Sequence, residues 1–207
     1  MTTQNPARIV LATRNLHKLA EVRDILAQLV PQLDPADIHS AAEYDLPEPV
    51  EDEVTFAGNA LIKARQIVRE LGVPAMADDS GLCVDVLGGA PGVFSARWCG
   101  RHGDDAANLQ LLLNQLSDVP DEHRGAHFAC AAALVLPDGR EFVELGRMEG
   151  KLLREPVGEN GFGYDPIFQA QGFTVSTAQM APAAKNAISH RARAFEALAP
   201  LVARALG

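Results

Sequence analysis

The sequence predicts an α/β fold, because short apolar runs of strand length are interleaved with longer amphipathic stretches of helical period. Three observations carry this. Arg8–Thr13 (RIVLAT) is an apolar run ending in a polar residue, and a helical pattern with Leu19, Val22, Ile25, Leu26 and Leu29 on one side follows it. Val73–Ala77 reads as a second buried strand leading into Asp78 and Asp79. That reading places both carboxylates at the C-terminal end of a strand, where α/β sheets usually bind ligands. His127–Leu136 is a third, mostly apolar strand, and Asp138-Gly139 after it is a hairpin turn.

Size and charge narrow the possibilities. At 207 residues the chain can bury a proper core as one domain, or as one domain with two lobes. No internal repeat, low-complexity tract or linker marks a boundary, so residues 1–207 read as a single domain. A net charge of −9 argues against duplex nucleic acid as the main partner, since phosphate neutralisation needs a basic face. A small phosphorylated ligand held by a few local cations stays compatible with it. Cys83, Cys99 and Cys130 are odd in number and lack C-x-x-C spacing, which suggests neither a disulfide framework nor a zinc site. Reduced thiols are expected. The apolar run Ile9–Ala12 is too short for a signal-peptide core or a membrane span, so a soluble, cytoplasmic protein without a membrane partner is expected.

Taken in order, the first strand opens into TRNLHK (Thr13–Lys18), where Asn15 suits a helix cap and Lys18 falls in the first turn. Such a loop either caps a helix or receives phosphate at its N-terminus. It is not a P-loop, because G-x-x-x-x-G-K-[ST] is absent. Pro31 stops the helix, and residues 31–54, rich in proline and acid, read as a loop with a weak strand near Ile38. Glu51, Asp52 and Glu53 precede a helix capped by Thr55 and stopped at Gly72; they either complement its dipole or supply a carboxylate facing Asp79. Asn59 and Lys63, four apart, share a face distinct from the apolar stripe of Ala60, Ala64, Ile67, Val68 and Leu71.

The stretch Ala77–Trp98 (ADDSGLCVDVLGGAPGVFSARW) organises the middle of the chain. Neighbouring carboxylates such as Asp78 and Asp79 suit Mg²⁺, or cap a turn. Gly88–Gly92 (GGAPG) forces a sharp loop. Gly103-Asp104-Asp105 enters a helix whose Leu109, Leu112, Leu113 and Leu116 are core. Glu141–Leu145 returns from the hairpin, and Arg147–Leu153 continues the sheet. In Gly158–Phe168 (GENGFGYDPIF) the glycines do not fit G-x-G-x-x-G; Phe162 and Tyr164 either stack on a flat base with Asp165 meeting ring donors, or form a packed turn. Ser189 looks like the cap of the last helix, and Lys185, His190 and Arg191 are the one tight basic cluster in an acidic chain.

In sequence, TRNLHK, TFAGNALIKAR, ADDSGLCVDVLGGAPGVFSARW, GFGYDPIF and KNAISHR resemble the inosine triphosphate pyrophosphatase family, from about Ile9 to the last helix. Each motif alone is weak, whereas the five in order are highly specific. The resemblance implies an elongated two-lobed α/β fold, with a long mixed sheet flanked by helices and the active cleft between the lobes. It implies a Mg²⁺-dependent hydrolase that converts deaminated purine triphosphates (ITP, dITP, XTP) to monophosphate and pyrophosphate, cleansing the nucleotide pool, typically as a homodimer. By motif, Thr13, Asn15 and Lys18 would bind the triphosphate, with Arg14 altering those contacts where the family often has a small residue. Glu51, chosen over Asp52 and Glu53, and Asp79 would hold Mg²⁺, with Asp79 also the general base. Lys63 and Ser80 would sit close to the phosphates. Phe162, Gly163, Tyr164 and Asp165 would shape the base pocket, and Lys185, His190 and Arg191 would read the base or an adjacent phosphate.

One departure stands out. The family commonly has T-F-x-E-N-A, whereas Gly58 stands here in place of the glutamate. That loses a capping-box bond, adds glycine's helical cost of roughly 1 kcal/mol, and removes any metal role for that side chain. The competing readings are a Maf-like pyrophosphatase with pyrimidine or modified-base preference, and a nucleotide-binding module without turnover.

Overall fold

The structure is a computed structural model and describes residues 8–206. In chain order its elements are β1 (Ile9–Leu11), α1 (Leu16–Leu29), β2 (Ile38–Ser40), α2 (Phe56–Leu71), β3 (Ala75–Val84), α3 (Asp105–Gln115), β4 (Gly125–Val135), β5 (Glu141–Leu152), β6 (Phe168–Ala170), α4 (Pro182–Asn186) and α5 (His190–Leu206), joined by loops and short 3₁₀ turns. Among these residues the strands form a six-stranded sheet in the order β2-β1-β3-β4-β5-β6. The sheet is mixed: β1 runs parallel to β2 and to β3, whereas β6 is antiparallel to β5. The fold class is α/β, as expected. The chain separates into two compact units, one made of residues up to Asp79 with Cys130–Gly146 and the chain from Arg191, the other of Ser80–Ala129 with Arg147–His190.

In the first unit the sheet is covered on both faces, and strand periodicity assigns each side chain to its cover. Ile9, Leu11, Met76, Cys130, Ala132 and Leu134 pack with α1 (Leu19, Val22, Leu26) and α5 (Phe195, Leu198, Val202). The alternate residues Val10, Ala75, Ala77 and Val135 pack with Ala64 and Ile67 of α2. Ala131 and Ala133 meet Ala60 of the same helix. Burial from both sides explains why Cys130–Val135 is an unbroken buried run instead of an alternating one. The helices begin and end where their cap residues dictate. Asn15 accepts from the amides of His17 and Lys18 at the start of α1. Thr55 accepts from Gly58 at the start of α2, and Gly72, at φ 69°, closes that helix in the left-handed conformation open to glycine.

The second unit gathers Leu82, Val84, Phe128, Met148, Leu152 and Phe168 around Leu109, Leu112 and Leu116 of α3. Here β4 and β5 alternate buried and more open residues, the pattern of a sheet with one covered face. Arg124 is almost wholly buried, and its guanidinium donates to the carbonyls of Leu152, Leu116 and Leu153 at 3.0, 2.7 and 2.8 Å. It thereby satisfies the carbonyl of Leu116, the residue that ends α3.

The structure corrects several expectations. The second strand does not end at Ala77; β3 runs on through Asp78 and Asp79 to Val84. The two apparent strands after the hairpin are one, β5, with no break at Gly146.

Candidate active site

The extension of β3 through the acid pair decides what each aspartate does. Successive residues of a strand point to opposite faces. Asp78 shares the parity of Met76 and therefore faces α1 and α5; Asp79 shares the parity of Ala75 and Ala77 and faces α2. They are not the paired metal carboxylates that adjacency alone suggested.

Asp78 is 2 % exposed and accepts from Lys18 Nζ of α1 at 3.0 Å and from Arg191 Nε of α5 at 3.1 Å. Arg191 Nη1 in turn donates to Glu21 at 2.9 Å, one turn beyond Lys18 on α1. Burial opposes charge on Asp78, but Lys18, Arg191 and Lys63 together outweigh it and hold its carboxyl well below the usual carboxylate range. For Arg191 too, the cost of burial is overcome, here by Asp78 and Glu21, and its guanidinium is held more firmly protonated than an ordinary one.

Asp79 presents the opposite electrostatics. Lys63 Nζ of α2 donates to its Oδ1 at 3.2 Å, and Asn59 Nδ2 approaches its Oδ2 at 3.3 Å. The same ammonium lies 3.2 Å from Glu51 Oε1. Burial pushes the Asp79 pKa up, Lys63 opposes that, and the negative charge of Glu51 adds to the rise. Lys63 is held protonated because Asp79, Asp78 and Glu51 outweigh the cost of burying it. The spacing of Asn59 and Lys63, one helical turn apart, is what brings both onto a single carboxylate.

Glu51 and Asp79 fit a hard divalent cation. Both offer carboxylate oxygens, and both already converge on one positive charge. Among the described residues no group of three or more His, Cys, Asp or Glu side chains gathers to hold a metal. A two-carboxylate set leaves the remaining positions of an octahedral ion to water and phosphate.

The loop between β1 and α1 carries the other expected phosphate contacts of this unit. Thr13 Oγ1 accepts from the Asn15 amide at 3.2 Å, and its carbonyl accepts from Ser40 Oγ at 2.6 Å. Arg14 is exposed; its guanidinium pairs with Glu48 at 3.2 Å and donates to the carbonyl of Leu46.

In the second unit the expected base-binding residues form one tight turn. Asp165 is 2 % exposed. Its Oδ1 accepts from Thr177 Oγ1 at 2.9 Å, and its Oδ2 accepts from the Phe162 amide at 2.9 Å and from Lys185 Nζ. Gly161 is obligatory here, because a Cβ at that position would lie 2.1 Å from the Asp165 carboxylate, and its φ of 77° is left-handed. Gly163 donates its amide to Asp105 at 2.9 Å. Phe162 is left 56 % exposed, with Lys185 Nζ 5.4 Å from its ring centre. Of the two readings for the aromatics, Tyr164 takes the packed turn: it is buried, its hydroxyl donates to the carbonyl of Ser95 at 2.9 Å, and burial and the charge of Asp105 push its pKa up. Asp165 likewise spends both oxygens inside the protein, on Thr177, the Phe162 amide and Lys185. His190 opens α5 with its ring stacked on Phe128, centroids 5.0 Å apart. Ser80 is half-buried on β3.

Two contributors carried no assigned role in the sequence, Glu21 and the amide of Asn59. The three-residue spacing of Lys18 and Glu21 and the four-residue spacing of Asn59 and Lys63 were signals, but only the partners on other elements give them meaning.

With this geometry in place, comparison with known proteins is decisive. Residues 9–201 match the Ham1 family. A dITP/XTP pyrophosphatase of Streptomyces avermitilis is 58% identical over 97% of this chain and 99% of that protein. Among solved structures, a HAM1 protein from Coxiella burnetii is 40% identical with a TM-score of 0.86, over 96% of this chain and all of that one. A nucleoside-triphosphatase / dITP/XTP pyrophosphatase from Mycobacterium abscessus is 50% identical with a TM-score of 0.78, over 94% of this chain and 98% of that one. The chain belongs to the Ham1 family.

Proposed function

We propose that this chain is a nucleoside triphosphate pyrophosphatase that hydrolyses deaminated purine nucleotides (ITP, dITP, XTP) to the monophosphate and pyrophosphate. The observation that carries this reading is Asp79: a partly desolvated carboxylate of raised pKa, aimed at α2, bonded by Lys63 and Asn59 and sharing the Lys63 ammonium with Glu51. Relatives named as dITP/XTP pyrophosphatases at 58% and 57% identity support the substrate class.

Phosphoryl substitution asks for positioning and charge neutralisation more than for covalent help. Glu51 and Asp79 would hold Mg²⁺, which when bound supplies charge neutralisation at the phosphates. Lys63 and Lys18 add fixed positive charge, and Thr13, Asn15 and Ser80, with Arg14 beside them, supply polar contacts to the triphosphate. Asp79 orients or deprotonates the attacking water, a task suited by a carboxyl that burial makes more basic than an ordinary aspartate. Water attacks, the bond between the α- and β-phosphoryl groups breaks, and pyrophosphate departs. Phe162 offers an exposed ring face to a purine, with Gly163, Tyr164 and Asp165 holding it and Lys185 and His190 supplying donors toward the 6-oxo group, while Arg191 acts indirectly by fixing Asp78 and Glu21. Donors aimed at O6 reject adenine, whose amino group leaves them unpaired. The enzyme acts in the cytoplasm as a homodimer.

Product analysis tests the reading. Purified protein with Mg²⁺ should release monophosphate and pyrophosphate from ITP, dITP and XTP while leaving ATP and GTP nearly untouched. Preference for dTTP would move it to a Maf-like enzyme, and binding without turnover, with Mn²⁺ as well as Mg²⁺, would make it a nucleotide sensor.

A further inference from the structure

We infer that Asn59, together with the bare backbone at Gly58, is the positioning latch that sets the spacing of Glu51 and Asp79. The inference rests on the proposed metal site at those two carboxylates.

Asn59 is completely buried within α2. A buried amide has to satisfy both ends, and this one does so across two elements. Its Oδ1 accepts from the backbone amide of Glu53 at 3.1 Å, and its Nδ2 lies 3.3 Å from Asp79 Oδ2. The orientation is dictated by chemistry: a backbone N–H can only donate, so the oxygen faces Glu53 and the NH₂ is left for the carboxylate. One side chain thus ties the acidic segment, two residues beyond Glu51, to the carboxylate on β3. It also selects among the oxygens of Asp79, since Lys63 takes Oδ1 and Asn59 takes Oδ2.

Gly58 provides a second, independent hold. A Cβ at residue 58 would lie 2.6 Å from Cβ and 2.8 Å from Cγ of Glu53. The stem of Glu53 therefore rests on the helix in space that any other residue would fill. The glycine in place of the family's glutamate is not a local weakness at the head of α2, because the Thr55 cap bond to the Gly58 amide is intact at 3.0 Å. It lets the acidic segment lie close enough for the Glu53 amide to reach Asn59. Polar partners that orient metal ligands typically change metal affinity by about 10–100-fold when removed.

The test is Mn²⁺ binding without nucleotide, read from the free-ion electron paramagnetic resonance signal, on the full chain and on Asn59→Leu, Gly58→Ala, Glu51→Gln and Asp79→Asn. Asn59→Leu keeps the volume and removes both bonds. Gly58→Ala removes no polar group and improves helix propensity, but pushes the Glu53 stem away. Both are expected to weaken Mn²⁺ binding by about tenfold or more, and Asn59→Leu is expected to add little in the Glu51→Gln background, as members of one unit do. Unchanged affinity in Gly58→Ala, or a fully additive loss on combining Asn59→Leu with Glu51→Gln, would overturn the latch. If Glu51→Gln and Asp79→Asn themselves bind Mn²⁺ like the native chain, it is the proposed metal site that fails.

Discussion

The two units treat buried charge in opposite ways. In the first, Lys18, Lys63 and Arg191 are interleaved with Glu21, Glu51, Asp78 and Asp79 across a sheet covered on both faces. In the second, the ion pair Lys185–Asp165 holds a turn that exposes one phenyl ring, Phe162, with the Lys185 ammonium 5.4 Å from its centre. A densely compensated charge cluster suits a polyanion and its counter-cation, whereas a rigid ring with a nearby ammonium suits a flat polar heterocycle. The same contrast recurs within the first unit, between two neighbouring aspartates of one strand. Asp78 is held as an anion by the cations around it, whereas burial pushes the pKa of Asp79 up.

The sharpest way to break this comparison is Asp79→Asn. Turnover should fall by roughly 10²–10⁴-fold, the range for removal of a general base. Measured in EDTA, the variant should be at least as stable as the native chain at neutral pH. A carboxyl with a raised pKa contributes stability below its unfolded value, near 4, and loses that contribution as pH rises through the folded value. Near-native turnover would remove Asp79 from the chemistry.

Asp78→Asn is the mirror experiment. It strands Lys18 and Arg191 in a buried site, so urea unfolding at pH 7 should show a loss of about 3–5 kcal/mol. A lowered pKa contributes stability above the unfolded value that disappears as pH falls through the folded one. The deficit should therefore shrink as the pH is taken below 4, opposite in direction to Asp79→Asn. Equal behaviour of the two variants across pH would erase the distinction between them.

In the second unit, Phe162→Ala should raise KM for ITP with kcat nearly unchanged, because a stacking ring binds ground and transition states alike. The loss should be about 1–3 kcal/mol in kcat/KM, the value of one base–aromatic stack. A fall in kcat alone would place Phe162 in the chemistry instead. The smallest effect belongs to Arg65→Ala, which breaks the exposed bidentate pair with Glu141, both bonds 2.7 Å, on another face of α2 from Lys63. Stability should change by no more than about 1 kcal/mol, with activity untouched.

Local chemistry was legible in the residues themselves. The caps Asn15 and Thr55, the helix entry at Gly103–Asp105, the stop at Gly72 and the apolar stripes of α1, α2 and α3 depend on neighbours within a turn of the chain, so they could be read from spacing. The strand that crosses Asp78 and Asp79 was not legible, because two consecutive aspartates are poor strand formers unless something neutralises them. What neutralises them comes from α1, α2 and α5, which the chain reaches as much as 113 residues away at Arg191. Tyr164 was unreadable for a similar reason: an aromatic in a glycine-rich turn looks available until the carbonyl of Ser95, 69 residues distant, takes its hydroxyl.

By itself, then, the order of five short motifs determined the family and the residue types of the candidate site, since these are properties of the chain as written. Only the tertiary structure decided which of the adjacent aspartates faces which helix. The pleat sends neighbours to opposite sides of the sheet, and the long-range cations each one meets, Lys18 and Arg191 for Asp78 and Lys63 for Asp79, set how firmly each is held as an anion.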